Sequence, residues 1–308
     1  MLQSLAIAAS DPVKVDNARE MFEDSAGSQL DLRNLDMSGC VSTKSMFDGC
    51  SNLEKVLQHW DLRNVRDAEF MFINCKKLTH LDTSNWNLSK LEDAQSMFEN
   101  CCLLTELDSS KWNLSTLQNA ENMFGNCQAL TQLDTSNWNL SQLENTRTMF
   151  GRCGITTLDT TNWNLSNLNC ASQMFASCSS LSSIIGSGNW DLSQLQTAAG
   201  MFASCPSLTE LDASDWQLTA LTNRTEMFSG SGLQKLTING QAFKKLADLG
   251  AVQVDRTEYG EDDISEFYEA IMTFTGSVQG DTFVVTGLEK YRARDGKWEY
   301  PQVEEDIE

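Results

Sequence analysis

Ten cysteines are the residues of this chain best suited to do chemistry, and their spacing decides which chemistry is open to them. Seven of them, Cys50, Cys75, Cys101, Cys127, Cys153, Cys178 and Cys205, recur at steps of 25 to 27 residues, with Cys40, Cys102 and Cys170 outside the column. Disulfides or a metal cluster need paired thiols, and no Cys-x-x-Cys occurs. Regular spacing instead gives single thiols, one per repeat, expected as small buried apolar residues. Such a file of free thiols suits synthesis in a reducing compartment.

Aspartates form a second column at Asp36, Asp82, Asp108, Asp134, Asp159 and Asp212. Like charges one turn apart repel unless compensated. Either each accepts backbone N–H bonds in its own turn, as Asp-x-Ser suggests, or cations such as calcium sit between them. Turn capping is the favoured reading, so no cofactor is expected and calcium is the one alternative.

A third column, Trp60, Trp86, Trp112, Trp138, Trp163, Trp190 and Trp216, offers either a sugar-stacking platform or a core ladder. The constant step of 12 from tryptophan to phenylalanine favours packing. Sequons begin at Asn87, Asn113, Asn139, Asn164 and Asn223; four of them derive from the repeat and are read as turn residues. The two histidines, His59 and His80, have no partner pattern for catalysis, and no phosphate loop, His-Glu-x-x-His or nucleophile elbow is present. The expectation is therefore no catalytic residue, no metal site and no enzyme.

The elements that position these columns emerge from the dipeptide Met-Phe. It recurs at 21–22, 46–47, 71–72, 97–98, 123–124, 149–150, 174–175, 201–202 and 227–228. A constant step over nine copies is the signature of a stacked repeat. In each unit Leu-Thr-x-Leu-Asp reads as a short strand with inward leucines. Leu88, Leu91, Ala94, Met97, Phe98 and Cys101 then fall mostly at steps of three, which suits a short helical segment capped by Ser89. An alanine column (Ala18, Ala68, Ala94, Ala120, Ala171, Ala198) suggests close approach of neighbouring units. One unit cannot bury this much apolar surface alone, whereas a stack can. The expected fold is an α/β, leucine-rich-repeat-like solenoid of about nine 25–27-residue turns over 1–239, with a small acidic β-containing segment at 240–308.

The unit Leu-Thr-x-Leu-Asp-x-Ser-x-Trp-x-Leu-Ser-x-Leu-x-x-Ala-x-x-Met-Phe-x-x-Cys, seen whole at 78–101, resembles the BspA-like, mycoplasma-type leucine-rich repeat of bacterial surface proteins. The resemblance covers roughly residues 2–238. It implies a solenoid, and adhesion or surface display; related repeats are also at home in phage structural proteins. The first residues fit the repeat frame directly, so no cleavable leader is expected.

Beyond Ile238 the pattern stops. Gln241 to Leu249 reads as a capping helix ended by Gly250. Ile271–Thr275 and Thr282–Thr286 read as paired strands, and Leu288–Arg294 with Lys297–Tyr300 as a second pair around Asp295-Gly296. This segment is either a cap or an attachment module.

The net charge of −21 disfavours nucleic acid and anionic lipid as partners, and no apolar run is long enough for membrane insertion. Recognition is expected on the concave strand face, at Asn34, His80, Asp82, Glu106, Asp108, Gln132, Asp134, Thr157, Asp159, Glu210 and Asp212. The expected function is a non-enzymatic protein-interaction or adhesion module on a cell or virion surface, binding protein or cell-surface glycan. The alternative is a phage virion component (tail-fibre, receptor-binding or head-decoration) docking on capsid or tail proteins through the C-terminal segment.

Overall fold

The computed structural model describes residues 4–6, 11–250, 252–254, 271–280, 282–292 and 298–299. The repeats wind into a β-solenoid of about nine turns. Short strands mark the coils: Ser4–Ala6 (β1), Val13–Lys14 (β2), Gln29–Asp31 (β3), Leu35–Asp36 (β4), Lys55–Leu57 (β5), His80–Leu81 (β6), Thr157–Asp159 (β7), Ser183–Ile185 (β8), Glu210–Ala213 (β9) and Lys235–Asn239 (β10). Coil pairs with coil in parallel, as β1-β3-β5-β6, β2-β4, β7-β8 and β9-β10. On a second side, single parallel bridges run from Ser42 through Asp67, Asp93, Asn119, Asn145, Cys170 and Thr197 to Asn223.

The third side differs from the expected helix. From Ala94 to Cys101 the chain makes overlapping turns. The N–H groups of Ala94, Ser96, Phe98 and Asn100 cross to carbonyls of the next coil, at Asn119, Glu121, Met123 and Gly125, over 2.7–2.9 Å. Between them Met97, Glu99 and Cys101 donate back three residues within their own coil, over 3.1–3.2 Å. Two left-handed residues per unit, here Ser96 (φ 52°) and Asn100 (φ 63°), turn alternate N–H groups toward the neighbour and rule out a helix. The pair recurs in all nine units, from Glu20 and Asp24 to Glu226 and Gly230. The steps of three reflect i→i−3 turns, so they imitate a helical face. Ser89 is not a helix cap: its N–H donates to Asn87 Oδ1 at 3.1 Å, closing a side-chain turn.

The interior holds files of matched side chains. Phe22, Phe47, Phe72, Phe98, Phe124, Phe150, Phe175, Phe202 and Phe228 stack in succession at 4.9–5.9 Å between centroids. Beside them the indoles from Trp86 to Trp216 stack at 5.8–6.2 Å, and Trp60 stacks on Phe47. All seven tryptophans of the column are buried, as packing predicts. Coil 2 lacks the indole, and the buried Leu35 stands in its place, 12 residues before Phe47.

At the C-terminal end the helix α1 (Gly240–Asp248) caps the stack. Asn239 accepts from the Ala242 N–H at its start, and Gly250 closes its end at φ 77°. Three more strands follow in the same sheet as β10: Val252–Val254 (β11), Ile271–Gln279 (β12) and Thr282–Arg292 (β13). A short strand, Trp298–Glu299 (β14), pairs with β13. β12 runs antiparallel to β10 and to β13, with Gly280 (φ 65°) in the turn between them. The first expected strand pair is therefore present and longer than read, whereas in the second the residues from Leu288 continue β13 and only Trp298–Glu299 pairs with its end; the Asp295-Gly296 turn lies outside the described residues. Phe243 of α1 stacks on Phe274 of β12 at 4.5 Å, so helix and hairpin share a core.

Candidate functional site: the strand face

The strand side is where side chains vary from coil to coil over a uniform interior. Buried Leu81, Leu107, Leu133, Leu158 and Leu211 alternate with exposed neighbours. His80, Asp82, Glu106, Asp108, Gln132, Asp134, Thr157, Asp159, Glu210 and Asp212 are all exposed on this side. His80 Nδ1 meets Glu106 Oε1 at 3.1 Å across one coil step, in register with the bridge between these residues.

Coil 2 is misread in sequence. Strand register pairs His80 with Lys55, Lys55 with Gln29 and Gln29 with Ser4. Asn34 lies in the turn between β3 and β4, off this column. Asp36 falls with Asp61 and Asn87 one residue after the tryptophan position; Asp31 pairs with Leu57 at the strand end. The residues around Leu32-Arg33-Asn34-Leu35-Asp36 repeat the Leu-x-x-Leu-Asp spelling at a different place in the coil, which explains the shift. Gln29, Lys55, Ser183 and Lys235 belong on this face, and the step of about 26 residues from His80 and Glu210 locates them.

Each strand-end aspartate folds back on its own turn. Oδ1 of Asp82, Asp108, Asp134, Asp159 and Asp212 accepts the N–H two residues on at 3.0–3.2 Å. The hydroxyls of Ser84, Ser110 and Thr161 add a bond of 2.6 Å to the same oxygen. These bonds, the hydroxyl's first, hold the carboxyls of Asp82 and Asp159 below their ordinary range. Asp31 is held down to about 2, chiefly by the Arg33 guanidinium. Among the described residues no group of three His, Cys, Asp or Glu is placed to hold a metal ion.

Behind the aspartates runs a ladder that sequence reasoning missed. Buried hydroxyls of Thr83, Ser109, Thr160 and Ser187 donate to the next coil's carbonyl at Asp108, Asp134, Ile185 and Asp212, over 2.6–2.8 Å. Thr135 does the same to Asp159. The signal was the small hydroxyl residue directly after the motif's aspartate, at Thr83, Ser109, Thr135 and Thr160. The exposed sequon asparagines Asn87, Asn113, Asn139 and Asn164 accept the N–H two residues on, as turn residues do.

The face ends in an open groove of about 470 Å³ where coil meets hairpin, lined by Thr209, Glu210, Gln234, Lys235, Thr275 and Ser277 among others. Lys235 Nζ lies 3.8 Å from Glu210 Oε2 on its wall. A second open groove of about 390 Å³ shares Thr209, Glu210 and Lys235 and runs on past Ser183 and Asp212.

The thiols lie on the opposite account. Cys50, Cys75, Cys101, Cys127, Cys178 and Cys205 donate to the carbonyl of the preceding coil's phenylalanine over 2.8–3.3 Å. Burial pushes Cys50 and Cys205 up to about 11 and Cys153 to about 12, and Cys101 and Cys127 well above the ordinary thiol range. At neutral pH they are held as thiols, and the thiolate is the nucleophilic form.

These features define a β-solenoid repeat protein with a uniform interior and a variegated strand face. The family described as Mycoplasma protein of unknown function, DUF285, matches residues 3–109, 81–187, 121–240 and 155–267 in four overlapping registers, and the chain belongs to this family. Comparison with curated proteins and with solved structures returned no significant match. No described helix is long and apolar enough to cross a membrane.

Proposed function

We propose that the chain is a non-enzymatic interaction module of the adhesion type, displayed on a cell or virion surface, that recognises a protein or glycan through its strand face. The observation that carries this reading is the separation of roles within each coil. Buried positions largely repeat one residue type per file, whereas the outward strand position runs Lys55, His80, Glu106, Gln132, Thr157, Ser183, Glu210, Lys235, exposed in all but the half-buried Ser183 and Lys235. A rigid backbone that spaces unlike polar side chains one coil apart presents a preorganised recognition surface. The groove at Glu210 and Lys235 adds the concavity such a surface uses for an anchor residue.

The test compares the wild-type chain with a variant carrying His80→Ala, Glu106→Ala, Gln132→Ala and Glu210→Ala. Both are used as bait on surface extracts and on a glycan panel. Loss of every wild-type ligand by the variant, at unchanged melting temperature, is expected. Ligands retained in full by the variant would place recognition elsewhere.

A further inference from the structure

The Met-Phe side carries a groove of its own, of about 230 Å³, across the fourth to seventh coils. Its walls are the two columns of left-handed residues. One wall is Asn122, Thr148 and Gln173. The other is Asn100, Asn126, Arg152 and Ser177. The floor is the position directly before the second column. Coils 2 to 4 carry Asp48, Ile73 and Glu99 there, whereas the next three carry Gly125, Gly151 and Ala176. The groove therefore opens at the fifth coil, with Glu99 at its end. A Cβ on Gly151 would meet the Thr148 side chain at 2.3 Å, so the wall overhangs the floor.

The second wall is fixed by an amide ladder that stops short of Arg152. Asn100 Nδ2 donates to Asn74 Oδ1 at 2.9 Å, and Asn126 Nδ2 donates to Asn100 Oδ1 at 2.8 Å. Gln128 Nε2 takes the last acceptor, Asn126 Oδ1, at 2.7 Å. Arg152, on the next coil, is exposed, and its guanidinium makes no hydrogen bond or ion pair among the described residues. The side chains of Asn122, Thr148, Gln173 and Ser177 are likewise uncommitted among the described residues. From Thr146 to Cys153 the sixth coil carries Arg147 and Arg152 and no acid, in a chain of net charge −21.

We propose that this groove is a second binding site, apart from the strand face, for an acidic monosaccharide. The ligand is one ring with a single carboxylate and neighbouring hydroxyls, as in a uronic or sialic acid at the end of a glycan. The planar fork of Arg152 suits a carboxylate, which accepts two parallel bonds from it. The amides of Asn122 and Gln173 offer both donors and acceptors, as neighbouring sugar hydroxyls require, and Thr148 and Ser177 add hydroxyls. No aromatic or large aliphatic residue lines the groove, so an apolar ligand would bury little apolar surface there. Glu99 at the end opposes a doubly charged phosphate, which one guanidinium does not offset. The volume lies below the usual range for whole small-molecule sites, which suits a single ring of a longer glycan.

Glucuronate and N-acetylneuraminate are titrated into the full chain by saturation-transfer NMR, beside glucose and acetate. At least one acid is expected to bind in the millimolar range, about tenfold or more tighter than glucose or acetate. Which acid binds identifies the class of sugar. Arg152→Gln, at an exposed position, should weaken that acid about tenfold at unchanged melting temperature, because a charge-assisted pair is lost. Gly125→Ile places on the fifth coil the residue that the third carries as Ile73, and should abolish binding by filling the floor. The strand-face variant described above should bind the acid as wild type does, so the two sites are tested separately. Absence of millimolar binding by either acid, equal binding of acetate or glucose, unaltered affinity in Arg152→Gln, or loss in the strand-face variant would overturn the proposal.

Discussion

The strand side and the Met-Phe side of each coil are both sewn to the next coil by backbone hydrogen bonds, yet they do so by opposite means. The strand side uses extended backbone, which sends alternate side chains outward and leaves them free to differ. The Met-Phe side uses paired left-handed residues, and from the second coil onward the methionine, phenylalanine and cysteine of its files face inward with almost no exposure. Both sides hold the coils together, and the strand side leaves outward positions free to vary, the positions we propose for recognition. A stack can change its partner without changing its core.

If that division holds, the largest disturbance should come from the interior collectively. The folded state holds the thiols above their unfolded value near 9. Below that value the stabilisation is fully present, and it is lost as pH rises toward the folded values of about 11 to 12. Circular dichroism between pH 8 and about 12 should show stability falling in that window. The fall should be shallower in a chain carrying Cys101→Ala and Cys127→Ala. Identical slopes would remove the thiols from the account.

A single deletion comes next. Trp112→Ala removes an indole stacked between Trp86 and Trp138 and should cost about 3–5 kcal/mol in denaturant titrations. A smaller loss, about 1–3 kcal/mol, is expected for Ser109→Ala, which leaves the Asp134 carbonyl without its donor. On the bridge column the sign reverses. Burial, with Glu69 nearby, holds the Asp93 carboxyl above its usual range, so its charged form opposes folding at neutral pH. Asp93→Asn, matching Asn119 and Asn145, should therefore raise stability slightly, by at most about 0.5 kcal/mol after solvent screening. On the strand face Glu106→Ala should move stability by no more than about 0.5 kcal/mol, measured by thermal melts. A larger change there would show that this side also builds the fold.

Much of this was legible because each file repeats one residue. The tryptophan, phenylalanine and cysteine columns announce a shared interior, and Leu-Thr-x-Leu-Asp announces a strand. The turn side was not legible, because overlapping i→i−3 turns bury residues at the same steps as a helix. Only the conformations at positions such as Ser96 and Asn100 separate the two, and bulky or branched residues such as Phe70 and Thr148 occupy them as well. Asn34 and Asp36 were displaced because coil 2 spells its strand motif late. Thr83 and Ser109 went unremarked beside the aspartates, although their hydroxyls rather than the carboxylates bond coil to coil.

The indole file has a consequence for how the protein answers to light. Chromophores held nearly parallel at 5.8–6.2 Å share an excitation instead of keeping it. The near-ultraviolet dichroism of these six indoles is therefore expected to carry their mutual coupling. Fraying at a single coil would split that array and be reported optically from residues far outside the damage.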